Sequence, residues 1–137
     1  MILAEEKQMT AKELQRQSRV VWFEIPTTDF DRAIAFYGAL FQTELKKEQF
    51  GGSQLAVFRY PEGSIGGCVI SGPEYRPAPD GPVIYLNADP DIDAVLARVP
   101  AAGGRVTQPA TRLPGDMGVY AHIVDTEGNR VGLHAVS

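Results

Sequence analysis

The sequence has few of the features that mark secreted, membrane-bound or nucleic-acid-binding proteins. Its single cysteine, Cys68, cannot form a disulfide within the chain, so nothing points to an oxidising compartment. No apolar run is long enough to span a membrane, and the chain does not open like a signal peptide. With 13 basic against 17 acidic residues, it lacks the basic excess typical of DNA or RNA binding. We therefore expect a cytoplasmic protein without membrane or nucleic-acid partners.

The composition is that of one folded domain. The 137 residues are 44% hydrophobic and 22% charged, which is enough apolar material for a core. Residues 1–18 differ from the rest of the chain in their pattern. Within them, Thr10 and Glu13 have the spacing of a helix capping box. This segment is predicted to be either a short helix or a frayed extension, and the domain itself to cover residues 19–137.

A pattern of strand, helix and further strands occurs twice in the chain. The first copy predicts strands at 20–25, 44–50, 54–60 and 65–70, with a helix that begins at Thr28. The second predicts strands at 83–87 and 105–107 and a hairpin of 119–124 with 130–136. It also predicts a helix that Asp91 caps, that Pro100 should end or kink, and that Gly103 and Gly104 terminate. Residues 71–81 contain three prolines and two glycines, which indicates an unpacked linker. The modules are therefore placed at about 19–70 and 82–136.

Two segments resemble the vicinal oxygen chelate superfamily, which includes glyoxalases, bleomycin resistance proteins and dioxygenases. Residues 23–37, FEIPTTDFDRAIAFY, resemble its opening strand and helix, and residues 125–133, DTEGNRVGL, resemble its last hairpin. The resemblance implies an α+β fold of two βαβββ modules. Their strands would form a cupped, incompletely closed mixed sheet with helices on the outer face, and a small molecule would bind in the cup. In metal-using members, four side chains on the strands hold a divalent ion.

Strand alternation predicts which side chains face the cup. With Phe23 and Ile25 towards the helices, the family's four metal positions fall on Trp22, Gly66, Val83 and Gly132. None of these side chains coordinates a divalent ion, so we expect neither the usual metal nor another cofactor. The glycines are expected to leave free space at the floor of the cup.

Further along the strands, a second set of positions also faces the cup: Glu24, Cys68, Tyr85 and His134. Its donors could form a displaced metal site of a zinc-like kind, or Glu24 and His134 could perform acid–base chemistry. The plainer interpretation is that Glu24 is paired with a backbone N–H or an arginine, while Cys68 acts as a small apolar residue. His122 is expected to pack or to lie at an edge, without a role.

Three functions therefore stay open, and whether the chain is an enzyme is undecided. The first is metal-free binding of an aromatic or apolar small molecule by a homodimer, with the ligand held by Trp22, Glu24, Cys68, Val83, Tyr85 and His134. The second is a divalent-metal-dependent lyase, transferase or dioxygenase with a displaced site. The third is a structural or regulatory domain whose cup is filled by its own side chains. The loop 111–118 is either a lid or a plain connector.

Overall fold

A computed structural model describes residues 9–137; the part of the predicted extension before residue 9 lies outside the described residues. Helix α1 spans Ala11–Gln17 and begins with the predicted capping box. The Glu13 backbone N–H donates to Thr10 Oγ1 at 3.1 Å, and the Thr10 N–H donates to Glu13 Oε2 at 3.0 Å. The helical alternative is thus confirmed for this segment.

The remaining elements form two βαβββ modules. The first contains β1 (Trp22–Pro26), α2 (Phe30–Phe41), β2 (Lys46–Phe50), β3 (Ser53–Val57) and β4 (Gly66–Ser71). The second contains β5 (Tyr85–Asn87), α3 (Ile92–Ala102), β6 (Arg105–Arg112), β7 (Val119–Val124) and β8 (Arg130–Ala135). Each module builds a four-stranded mixed sheet, in the orders β1-β4-β3-β2 and β5-β8-β7-β6. Neither described sheet closes into a barrel, and the predicted α+β class of two modules is confirmed.

Several boundaries differ from the prediction. Asp29, not Thr28, caps α2, because the Asp29 side chain accepts a hydrogen bond from the Arg32 backbone N–H at 3.1 Å. Helix α3 does not end at Pro100 but continues to Ala102, with the predicted Gly103 as its C-cap, whose φ of 105° suits glycine; this close to the helix end, the proline interrupts little of the hydrogen-bond ladder. Strand β6 is longer than predicted, because its Pro109 lies on an edge strand with irregular register, where a missing donor is tolerated.

The helices join the two sheets through one apolar core. Helix α2 packs on α3 and β4, and α3 packs on the second sheet. Residues from both modules share this core, including Ile25, Phe36, Leu40, Val99 and Leu133. These contacts decide which face of each strand is buried. No helix among residues 9–137 is long and apolar enough to cross a membrane.

The turn between β7 and β8 fastens the second module to the first. Glu127 accepts hydrogen bonds from the backbone N–H groups of Thr28 at 2.9 Å and Asp29 at 2.7 Å, and from Nε of Arg32 at 2.8 Å. Burial alone would raise the pKa of Glu127, but these donors outweigh it and lower the pKa to about 2. The segment that resembles the family's last hairpin is therefore a clamp between the modules.

A buried hydrogen bond reinforces the same clamp. The Tyr37 hydroxyl donates to Asp125 Oδ2 at 2.6 Å, and burial together with this carboxylate raises the pKa of Tyr37 well above its usual value. Asn129 Nδ2 donates to the Pro26 carbonyl at 2.8 Å. No buried side-chain nitrogen or oxygen in the described part of the chain lacks a partner, so this polar junction between the modules is fully satisfied.

Beyond Ser71, the last residue of β4, the linker has neither helix nor strand. The prediction that it is unpacked was wrong, because its backbone is hydrogen-bonded. The backbone N–H of Ala78 donates to Asn129 Oδ1 at 3.1 Å, and that of Tyr75 donates to the Gly72 carbonyl at 3.1 Å. Tyr75 lies beside Glu24, whose carboxylate is the main reason that the pKa of the Tyr75 phenol is raised. The three prolines stiffen this segment, and the linker contacts both Glu24 of the first sheet and Asn129 of the turn between β7 and β8.

Candidate functional site

Each sheet has a face turned away from α2 and α3, which we call the helix-free face. On β1, Ile25 is buried in the core and Phe23 packs against it, so alternation puts Trp22 and Glu24 on the helix-free face. On the second sheet, the buried Leu86 and Leu133 put Tyr85 and His134 there in the same way. Sequence alternation therefore predicted the correct face at all four positions.

The strand register changes one of the four metal-position assignments. Trp22 pairs with Gly66 across the first sheet, and Tyr85 pairs with Gly132 in the same parallel arrangement across the second. Val83 precedes β5 and is half-buried. Tyr85 rather than Val83 is thus the counterpart of Trp22, and the predicted assignment of Val83 was wrong by two residues. Alternation alone cannot detect such an error, because a shift of two residues preserves the face.

The predicted free space at the two glycines does not exist. A Cβ added to Gly66 would lie 2.6 Å from the Tyr60 ring, and one added to Gly132 would lie 2.3 Å from the Tyr85 ring. Both glycines permit a tyrosine ring to lie flat on the strand. The absence of a side chain is used for close packing, which single-sequence reasoning could not distinguish from an open floor.

The residues present do not fit the family's divalent ion. The four equivalent positions now hold an indole, a phenol and two glycines, and the phenol of Tyr85 is already hydrogen-bonded to His122. Of the donors considered for a displaced site, Glu24 and Cys68 pair on the first sheet and His134 lies on the second. Within residues 9–137, no group of three or more His, Cys, Asp or Glu side chains is placed to hold a metal.

On the first sheet, the chain covers much of its own helix-free face. Trp22 and Tyr60 meet edge to face with ring centroids 6.5 Å apart. Cys68 is fully buried, and burial, followed by the charge of Glu24, raises the pKa of its thiol to about 12. The thiol therefore keeps its proton at neutral pH, and it is not suited to nucleophilic chemistry.

On the second sheet, aromatic and histidine side chains converge around a cavity of about 420 Å³. The Tyr85 hydroxyl and His122 Nε2 are 2.7 Å apart, and the ring of Tyr120 lies 5.4 Å from that of His122 between centroids. His134 Nε2 lies 2.6 Å from the Met117 carbonyl oxygen. We call this the second-sheet cavity; its lining residues are Tyr85, Leu113, Met117, Tyr120, His122 and His134.

His122 is the functional candidate that the sequence reasoning dismissed. It was expected to pack or to lie at an edge, but Ala121 and Ile123 are fully buried on β7. Alternation then puts Tyr120 and His122 on the helix-free face. The signal was present in the sequence, because the apolar residues of YAHIV predict the same alternation.

The loop 111–118 contributes one wall of the second-sheet cavity. The Leu113 backbone N–H donates to the Gly118 carbonyl at 2.8 Å, which closes the loop on itself. Its Met117 side chain lines the cavity and is 62% exposed. None of the three nearby charged residues lines the second-sheet cavity: Arg59 lines a separate groove beside Trp22, and Arg112 and Asp116 line neither.

The paired βαβββ modules, each with one sheet face turned away from α2 and α3, define the class of two-module glyoxalase-like proteins. A sequence profile described as Glyoxalase/Bleomycin resistance protein/Dioxygenase superfamily matches residues 19–133. The chain belongs to this superfamily.

Individual relatives agree with the assignment. CFP32 of Mycobacterium bovis, provisionally described as a glyoxylase, is 31% identical over 110 residues. The match covers 80% of this chain but only 41% of that protein, so the chain spans about two fifths of the curated relative's length. The same identity and coverage hold for CFP32 of Mycobacterium tuberculosis.

Solved structures show the same fold. A glyoxalase/bleomycin resistance protein from Albidiferax ferrireducens superimposes with a TM-score of 0.63 at 19% identity, covering 85% of this chain and 98% of that one. The E144Q mutant of glyoxalase I from Zea mays gives a TM-score of 0.63 at 18% identity, covering 84% of this chain and 46% of that one. At such identities the likeness concerns the fold alone.

Proposed function

We propose that the protein binds a small planar aromatic molecule in the second-sheet cavity, without a metal at the family's usual position. The observation that carries the proposal is the convergence of Tyr85, Tyr120 and His122 on one accessible wall. Tyr85 is 50% exposed, although it is a large aromatic side chain on a sheet face. Stacking on such rings contributes about 0.5–1.5 kcal/mol per aromatic pair beyond the burial of area.

The other walls of the cavity suit the same ligand. Leu113 and Met117 add apolar surface, and the flexible thioether of Met117 can adapt to ligands of different outline. None of the lining residues carries a carboxylate, an ammonium or a guanidinium group. An uncharged ring therefore meets no desolvated charge on entering.

The binding test uses 2-methoxynaphthalene as the probe, in titration calorimetry with a chelator present. We expect one site per chain, an affinity that zinc or nickel ions do not change, and no comparable binding of cyclohexanol. Tyr120→Ala should weaken binding about 5- to 10-fold through the lost ring contact. The matched control is Tyr60→Ala, which removes a tyrosine that lies against Gly66 of the first sheet and should leave the affinity unchanged.

Two results would contradict the proposal. The first is a probe affinity that depends on added metal ions. The second is a loss of affinity in Tyr60→Ala but not in Tyr120→Ala, which would place the ligand on the first sheet.

A structural or regulatory role is the second candidate, and a specific observation favours it. On the first sheet, Tyr60 lies on Gly66, Tyr75 lies beside Glu24, and Cys68 is fully buried. This half of the molecule thus has much of its helix-free face covered by its own side chains. A protein that binds no ring compound but folds stably would support this role over ligand binding.

A further inference from the structure

The hydrogen bonds around the second-sheet cavity restrict the ligand further. We propose that the ligand is a phenol, a planar ring whose hydroxyl group donates a hydrogen bond to Tyr85 Oη while Tyr85 donates its own proton to His122. This inference rests on the proposed function and adds the chemical class of the ligand.

The first step concerns His134. Its Nε2 lies 2.6 Å from the Met117 carbonyl oxygen, and a carbonyl can only accept. Nε2 of His134 therefore carries a proton. In the neutral ring, Nδ1 then offers a lone pair, so that the free nitrogen of His134 is an acceptor.

The second step concerns the pair of Tyr85 and His122. A phenol O–H is a much stronger acid than the N–H of a neutral imidazole, and an imidazole nitrogen is a much better acceptor than a phenol oxygen. The 2.7 Å contact is therefore best formed with Tyr85 donating and His122 Nε2 accepting. Once its proton is used in this way, Tyr85 Oη retains only lone pairs for a ligand.

The third step concerns the ligand. The fixed polar atoms of Tyr85 and His134 are both acceptors, so the complementary group on the ligand is a donor. A carboxylate brings only acceptors and a charge, and none of the six lining residues is an arginine or a lysine that could pair with it. With Nε2 accepting from Tyr85, the neutral His122 ring carries its proton on Nδ1, so His122 and the Tyr120 hydroxyl are the donors in the lining. A hydroxyl group, unlike a carbonyl, can donate to the acceptors and also accept from these donors. A ring with a hydroxyl group supplies both the stacking surface and the donor. Tyr120 carries the one further hydroxyl in the lining, so the experiment must distinguish it from Tyr85.

The test compares 2-naphthol with its methyl ether, 2-methoxynaphthalene, near neutral pH, where the naphthol keeps its proton. The ether has the same rings and oxygen but no donor. We expect the naphthol to bind about tenfold more tightly, the effect of one uncharged hydrogen bond that leaves no buried acceptor unpaired. Tyr85→Phe keeps the ring that lies on Gly132 and should reduce the ratio of the two affinities to about one.

The matched control is Tyr120→Phe, which should keep the tenfold ratio. Equal binding of the naphthol and the ether by the unmodified protein would overturn this inference while leaving ring binding intact. Loss of the ratio in Tyr120→Phe, with Tyr85→Phe unaffected, would also overturn it. If neither compound binds, the proposed function itself fails.

Discussion

Glu127 should make the stability of the protein depend on acid, and the structure gives the size of the effect. Its carboxylate accepts five hydrogen bonds, from the backbone of Thr28 and Asp29, twice from the Arg32 guanidinium and from the Thr126 hydroxyl. These bonds lower the pKa from 4.5 to about 2. Since each tenfold change in proton affinity corresponds to about 1.4 kcal/mol, the ionised carboxylate stabilises the fold by at most about 3 kcal/mol. The Arg32 side chain is half-exposed, so water screens its charge and its part of this stabilisation is smaller than the pKa change alone implies.

The sign follows from the lowered pKa. A carboxylate that is more acidic in the folded state contributes its full stability above the unfolded pKa of 4.5. It loses that stability as the pH falls towards about 2. Glu127→Gln removes the charge at every pH. The difference in unfolding free energy between the unmodified protein and this variant should therefore be at most about 3 kcal/mol near neutral pH and should shrink to near zero at the acid end.

Urea denaturation over this pH range measures the difference directly. The matched control is Glu62→Gln, an exposed turn carboxylate whose removal should change stability by less than about 0.5 kcal/mol at any pH. A stability difference for Glu127→Gln that stays constant between neutral pH and about pH 2 would refute the reasoning. It would show that protonation of the Glu127 carboxylate does not weaken the folded state.

Three further predictions concern the two helix-free faces and the exposed strand edges. Cys68 should react slowly with a thiol reagent in the folded protein, and Tyr75→Ala should accelerate the reaction several-fold by uncovering it; equal rates would mean that the linker does not cover this thiol. Gly132→Ala should displace the Tyr85 ring, cost about 1–3 kcal/mol in urea denaturation and weaken binding of 2-naphthol, whereas Gly52→Ala, with nothing within 4 Å of the added Cβ, should do neither. We also propose that two copies associate to cover exposed strand edges such as β2, where Phe50 is 81% exposed. Light scattering should then give the mass of a dimer, and a monomer at all concentrations would contradict this proposal.

The sequence by itself determined the architecture, because the relevant signals are local and periodic. The helix of residues 30–41 follows from apolar residues at helical spacing, although its cap is Asp29 rather than the predicted Thr28, and the strands follow from alternation between turn residues. The same alternation put Trp22, Glu24, Tyr85 and His134 on the correct face. The two segments that resemble the superfamily contact each other. Glu127 and Asn129 of the second segment are hydrogen-bonded to Asp29 and Pro26 of the first, and these bonds fasten the modules together.

Only the tertiary structure decided what the helix-free faces contain. Register moved the metal-equivalent position from Val83 to Tyr85, since alternation is unchanged by a shift of two residues. The rings of Tyr60 and Tyr85 took the space that two glycines were expected to leave open, and the linker brought Tyr75 to Glu24. The hydrogen bond between Tyr85 and His122 joins residues 37 positions apart. Contacts of this kind arise from how strands pair and loops fold back, and no local pattern in the chain specifies them.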